Sequence, residues 1–252
     1  MSALSINRWT ASDGIDLAWR ETGQGPAVIL LHGLFSSAEV NWIKYGTAAT
    51  VAAAGFRVIM PDHRAHGDSA HPHDPALYPP GILARDVTEL VAHLGLEKYD
   101  LGGFSLGART VVQAVGDGLL TPTRAILAGM GLRGILDWDR RQSFFRDAMA
   151  NFETSKRGDP DWLAIQFMKT MMVDRAAAAL VLQSFGDAPL AALDAFSMPT
   201  LVLIGSDDED NGSARELAEA LPDATYAEIP GTHMSCVTKP EMGRAITDFL
   251  TA

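Results

Sequence analysis

The chain contains one cysteine, Cys236, among 252 residues. A single thiol cannot close an internal disulfide, which excludes a disulfide-stapled secreted fold and allows a reducing compartment. Cations are also short: 20 Lys and Arg against 31 Asp and Glu leave a formal net charge of −11. Nucleic acid and anionic membrane surfaces are held by clustered Lys and Arg, so this balance disfavours both as partners. Long apolar runs are missing. The longest aliphatic stretch, Ala176–Leu182, is far below the ~18 residues of a membrane span. The opening residues MSALSINRWTASDG hold no apolar core of the roughly 7–15 residues found in signal peptides. These absences lead to the expectation of a soluble, cytoplasmic protein whose partner is a small molecule, with the oligomeric state left open. The rest is ordinary for a folded α/β chain of this length, with 47% hydrophobic and 20% charged residues.

Short apolar runs alternate with longer helical stretches. Ala27–Leu31, Arg57–Met60, Tyr99–Phe104, Arg124–Met130 and Thr200–Ile204 read as buried strands, each stopped by Gly, Pro or Asp. Between them, Ala38–Ala54, Gly81–Leu94, Leu106–Gly116, Ser213–Leu221 and Pro240–Leu250 read as helices. In Gly81–Leu94 the residues Ile82, Val87, Leu90, Val91 and Leu94 fall on one helical face. Such alternation implies parallel strands joined by right-handed crossovers. The first residues instead read as two strands turned at Asp13-Gly14, an antiparallel start to the sheet.

The alternation stops between Gly131 and Phe196. Only helix-like stretches stand there: Arg140–Thr154, Trp162–Val173 and Arg175–Gln183. These 66 residues hold eight of the 19 aromatics and four of the 10 methionines. An added helical layer needs an apolar face of its own. A lid would use the same residues differently, lining an apolar substrate pocket with side chains that adapt to shape. The two uses are compatible. The expected division is therefore a core at 1–130 and 197–252 with a small helical cap at about 131–196.

Gly103-Phe104-Ser105-Leu106-Gly107 follows a strand directly and opens a helix. A nucleophilic serine on so sharp a turn needs residues without side chains two before and two after it, and glycine meets that need. His32-Gly33-Leu34 ends another strand, where a backbone N–H can supply one half of an oxyanion hole. The N–H after the nucleophile supplies the other half, so the expected donors are Leu34 and Leu106. His32 itself reads as a hydrogen-bonded structural residue. Gly205-Ser206-Asp207-Asp208 closes a further strand, and Gly231-Thr232-His233 ends in a histidine 25 residues beyond Asp208. Ser, acid, His is the chain order of one serine-hydrolase architecture, and that gap accommodates one helix and one strand (Thr225–Ile229).

Taken together, HGLFSS (32–37), PDHRAHGDS (61–69), GFSLG (103–107), PTLVLIGSDD (199–208) and PGTHMSCVTKPE (230–241) resemble the α/β-hydrolase fold proteins of the serine esterase, enol-lactonase and cofactor-free haloperoxidase type. The resemblance covers nearly the whole chain and lapses only at 131–196. It implies a mostly parallel sheet flanked by helices on both faces and a cap at the insert. It also implies Ser105 as nucleophile, His233 as base, Asp208 as acid, and no cofactor or metal. Three motifs depart from the family pattern. Phe104 and Ala108 replace the His and last Gly of the usual Gly-His-Ser-x-Gly-Gly elbow, Ala65 replaces the Gly of Arg-Gly-His, and Glu209 replaces the Pro after the acid. The third leaves the acid open among Asp207, Asp208 and Asp210.

Other chemistry is weaker. His63, His66, His71 and His73 cluster beside Asp62, Asp68 and Asp74, but PDHRAHGDS already accounts for the first part as a loop, so a zinc site is not expected. The run Asp207–Asp210 lacks the ligand ladder of a calcium loop. No phosphate-binding loop is expected around Gly102, Gly103 and Gly107. Cys236 sits on no elbow. The expected activity is hydrolysis of a small, apolar carboxylic ester or lactone through an acyl-enzyme. Carbon–carbon bond hydrolysis, perhydrolysis and acyl transfer share the triad, and a non-catalytic ligand receptor shares the fold. A serine at 105 argues against epoxide hydrolase and haloalkane dehalogenase relatives, whose nucleophile is a carboxylate.

Overall fold

The run Ala27–Leu31 has no polar side to turn toward water, and it forms a strand buried along its whole length. In the computed structural model, which describes residues 4–252, it lies inside a single eight-stranded sheet. The strands are β1 (Asn7–Thr10), β2 (Asp16–Thr22), β3 (Ala27–Leu31), β4 (Arg57–Pro61), β5 (Tyr99–Phe104), β6 (Ala125–Ala128), β7 (Thr200–Gly205) and β8 (Ala224–Ile229). Their spatial order is β1-β2-β4-β3-β5-β6-β7-β8. The β1–β2 and β2–β4 pairs are antiparallel, as the Asp13-Gly14 turn implies, and all other pairs are parallel.

The helices are α1 (Thr47–Ala53), α2 (Ile82–His93), α3 (Leu106–Gly116), α4 (Leu132–Leu136), α5 (Trp138–Ala150), α6 (Trp162–Thr170), α7 (Arg175–Gln183), α8 (Ala214–Ala220) and α9 (Pro240–Thr251). Side chains alternate across the central strands. Ile29, Leu31, Leu101 and Val202 join one cluster with α2, α3 and α8, while Val28, Leu30, Leu201 and Leu203 join another with α1 and α9. Each such side chain contributes about 1.5–3 kcal/mol on burial.

One expected helix differs. Ala38–Ala54 splits into a wide helical turn at Glu39–Ile43 and α1, because Gly46 takes a left-handed φ of 86° and breaks the run.

The region 131–196 holds helices and connecting loops with no strand, and its parts pack differently. At its ends, Ile135, Leu193 and Phe196 join the sheet-face cluster beside α3. Its middle forms clusters of its own over the loops that follow β3 and β4. Trp138, Val181, Leu182 and Phe185 gather with Ala65, Tyr78 and Leu106, and Ala148, Ile165, Met168 and Ala178 gather around Phe35.

Candidate active site

In an open parallel sheet, loops leaving adjacent strands in opposite directions open a crevice at the strands' carboxyl ends. Here that point lies between β3 and β5, which run in register with Leu31 beside Gly103. The loop after β3 therefore sits next to the turn after β5. Ser105 occupies that turn with φ 53° and ψ −110°, a conformation that side-chain-bearing residues rarely adopt. The flanking glycines are required by space: a Cβ on Gly103 would lie 2.2 Å from the Gly107 carbonyl carbon, and one on Gly107 would lie 2.3 Å from Leu31 O.

Along the β3 loop most amides are committed. Gly33 N–H donates to Asn41 Oδ1 (3.0 Å), Phe35 N–H to His66 Nε2 (3.1 Å), Ser36 N–H to Gly33 O (3.2 Å) and Ala38 N–H to Asp62 Oδ1 (2.8 Å). Among the described residues, the Leu34 and Leu106 N–H groups donate to no protein acceptor. The two donors expected from the sequence are thus uncommitted, and both residues line the cavity that contains Ser105.

Behind this loop lies a histidine cluster. His32 Nε2 accepts from His63 N–H (3.0 Å) while its Nδ1–H donates to Gly33 O (2.8 Å). His66, which accepts from Phe35, donates through Nδ1–H to Arg64 O (2.9 Å). Both rings must be neutral to accept. Burial agrees, lowering the His32 pKa to about 4 and the His66 pKa to about 3. His32 is thus the structural residue its position suggests. His71 is half-buried and His73 exposed, and no set of three His, Cys, Asp or Glu side chains among the described residues could hold a metal ion.

His233 Nε2 lies 3.0 Å from Ser105 Oγ, and its Nδ1–H donates to Asp208 Oδ2 at 2.8 Å. Asp208 is buried, and its other oxygen accepts the Asp210 N–H (3.2 Å). Asp207 and Asp210 are exposed. The structure brings Ser105, His233 and Asp208 together and leaves the other two acids outside, with Asp210 contributing its amide. Cys236 lies under the His233 loop, its thiol pushed up to about 12 by burial and by Asp208, so it offers no thiolate.

The departures from the family pattern have physical counterparts. Phe104 packs beneath His233 with ring centroids 4.9 Å apart, an apolar floor that cannot compete for either ring nitrogen. Ala65 is held at φ 64°, which costs roughly 1 kcal/mol against the glycine usual there.

The cavity beside Ser105 measures about 10 Å³, roughly the room of one water. Its walls are Leu34, Leu106, Met130, Trp138, Phe145, Asn211 and two arginines, Arg109 and Arg141. Of the large insert residues that composition singles out (Phe144, Phe145, Trp162, Phe167 and Met171), Phe145 alone lines it. Trp138 and Arg141 were missed. Their signal is the stripe Trp138, Arg141, Phe145, Ala148 on α5, an arginine inside an otherwise apolar face. A Gly-x-Gly-x-x-Gly spacing at Gly129–Gly134 also escapes the sequence reading. It is no phosphate cradle: the N–H groups of Gly129, Leu132 and Gly134 donate to Leu203, Ser213 and Asn211 carbonyls, and a Cβ on Gly131 would meet Gly212 O at 2.1 Å.

This chain has the α/β-hydrolase fold. Residues 26–125 match the family model described as alpha/beta hydrolase fold. An epoxide hydrolase from Caballeronia sordidicola is 38% identical over 98 residues, covering 39% of this chain and 29% of that protein. The chain likewise spans less than a third of two further epoxide hydrolases it matches. A non-heme chloroperoxidase from Kitasatospora aureofaciens is 25% identical across 96% of this chain and 98% of its own length. A solved thermophilic esterase from Thermogutta terrifontis aligns with TM-score 0.76 and 26% identity over 98% of each chain.

Proposed function

We propose that the chain is a serine hydrolase that cleaves a small carboxylic ester or lactone. The observation that carries this reading is the continuous series Asp208 Oδ2, His233 Nδ1, His233 Nε2 and Ser105 Oγ, at 2.8 and 3.0 Å. Ser105 Oγ attacks the carbonyl carbon while His233 Nε2 takes its proton, and Asp208 fixes the tautomer and stabilises the imidazolium. The oxyanion sits between the Leu34 and Leu106 N–H groups. Collapse expels the alcohol, which takes its proton from His233. Water, deprotonated by His233, then attacks the acyl-enzyme, releases the acid and returns the proton to Ser105.

The epoxide hydrolase relatives suggest another electrophile. Serine opening of an epoxide would leave an ether, which has no carbonyl for water to attack, so Ser105 suits acyl carbon. The chloroperoxidase relative favours a second reading on the same intermediate: hydrogen peroxide in place of water would release a peracid. The cavity favours a short acyl group in either case.

A fluorophosphonate probe should label the wild type and not Ser105→Ala, and p-nitrophenyl acetate should be turned over only by the wild type. A non-catalytic receptor would give neither. Peracid from acetate and hydrogen peroxide separates the second reading.

A further inference from the structure

Two arginines line the cavity beside Ser105, and they are held in opposite ways. The terminal nitrogens of Arg109 donate to the carbonyls of Gly134, Ile135 and Gly186, and its guanidinium lies over the Trp138 ring. That side chain is a strut between α3 and the helical layer. Arg141, on α5, is only 9% exposed, yet it donates no hydrogen bond within the chain among the described residues. Its nearest carboxylate, the half-exposed Asp210, stands 3.6 Å from Nη2, beyond hydrogen-bond reach. Asp208 is close enough to be felt by Arg141 but is already engaged by His233 and the Asp210 amide. The guanidinium otherwise meets the Phe145 ring, with its carbon 4.9 Å from the centroid. Beyond that long ion pair the planar fork has N–H donors to spare, on the wall of the cavity that contains Ser105.

We propose that Arg141 binds a carboxylate of the substrate, so that the ester or lactone cleaved here is itself an anion, as in a half-ester of a dicarboxylic acid. This rests on the serine-hydrolase reading. Two carboxylate oxygens match the guanidinium fork. The cavity as it stands has room for one water, so the methylenes between that carboxylate and the scissile carbonyl would enter by displacing the apolar side chains of Leu34, Leu106, Met130 and Trp138. The chain's overall negative charge does not oppose this, because distant charges are screened beyond about 8–10 Å while a buried contact is not. The product of such a half-ester would be a dicarboxylate.

The test compares matched pairs by kcat/KM. Monomethyl succinate against methyl succinamate places the charge on the acyl side; acetoxyacetate against acetoxyacetamide places it on the alcohol side. The wild type should favour the anion about 10- to 100-fold in one pair, the span of a charge-assisted hydrogen bond. Arg141→Gln should bring that ratio to about one, and Arg141→Lys should retain part of it. A wild-type ratio near one in both pairs overturns the proposal even if Arg141→Gln fails to fold, as does a folded Arg141→Gln with the ratio intact. Should no ester be turned over and no fluorophosphonate label Ser105, the hydrolase reading has failed by itself. The carboxylate site is then read by binding: succinate, and not succinamide, should raise the melting temperature of Ser105→Ala, and the rise should vanish when Arg141→Gln is added. Equal shifts with both compounds, or none, overturn the proposal by that route.

Discussion

Around Ser105 the backbone has almost no latitude, whereas the helices above it are held mainly by side chains. At the strands' carboxyl ends a single added methyl on Gly103 or Gly107 would sit within 2.4 Å of another backbone atom, and most amides of the β3 loop have a named acceptor, Leu34 excepted. Over the cavity, α5, α6 and α7 meet the loops through rings and methyls such as Phe35 against Phe145, with centroids 5.3 Å apart. Backbone geometry of the first kind suits a reaction that tolerates little displacement, since small misplacements of reacting groups are expensive. Side-chain packing of the second kind can be exchanged residue by residue. On the proposed function, the contrast would put chemistry at the strands' carboxyl ends and choice of substrate in the layer above.

The sharpest way to break this division is at the strands' carboxyl ends. Ser105→Ala should lower kcat by about 10⁶-fold with the fold intact, checked by ester turnover and a thermal melt. Asp208→Asn should cost on the order of 10⁴-fold, because the amide no longer favours the required His233 tautomer. Asp207→Asn and Asp210→Asn should cost far less, since Asp210 serves the site through its N–H, which the substitution keeps. A larger loss in either neighbour would move the acid.

Acid should test those ends next. His32 and His66 are neutral in the fold, with pKa values near 4 and 3, and ordinary when unfolded. Between those values and pH 6.5 the unfolded chain binds more protons. Stability is therefore fully present above pH 6.5 and is lost as pH falls, by about 1.4 kcal/mol per pH unit for each histidine. Denaturant melts from pH 7 to pH 4.5 measure this against the opposite contribution of Asp86, whose carboxyl pKa burial raises to about 6. Because His66 accepts from Phe35 N–H and stays neutral in the fold, its protonation accompanies unfolding rather than preceding it.

The smallest effect lies in the layer above. Phe145→Ala should lengthen the preferred acyl chain, each added methylene raising kcat/KM by up to about four-fold until the space is filled. Trp162→Ala and Phe167→Ala, which do not line the cavity, should leave the profile unchanged. If all three behave alike, the layer acts as one packed unit and the comparison loses its lower half.

Legibility followed the same line. The strands and the residues at their carboxyl ends could be read because each rests on a local rule: an apolar run that must be buried, a glycine where no Cβ fits, a chain order fixed by topology. Ser105, His233, Leu34 and Leu106 were all accessible that way. Asp208 was separable from Asp207 and Asp210 only once the turn after β7 showed which of three adjacent carboxylates points inward. Gly46 was read through because apolar periodicity continues across it, although its left-handed turn ends the run. Arg141 was harder. On a sequence it resembles any surface cation, and its burial depends on how α5 lies across loops from distant parts of the chain.

Ser105 and His233 stand 128 residues apart in sequence, with the whole helical insert and the last two strands between them. Contacts that distant form only after large loops have closed, so they come late in folding. An intermediate that has built β3, β4, β5 and α3 would already display the serine elbow but lack its base. Recovery of fluorophosphonate labelling during refolding would therefore clock the docking of β7 and β8. On the proposed mechanism, a chain that has not yet docked β7 and β8 carries the serine without its base and turns over no ester.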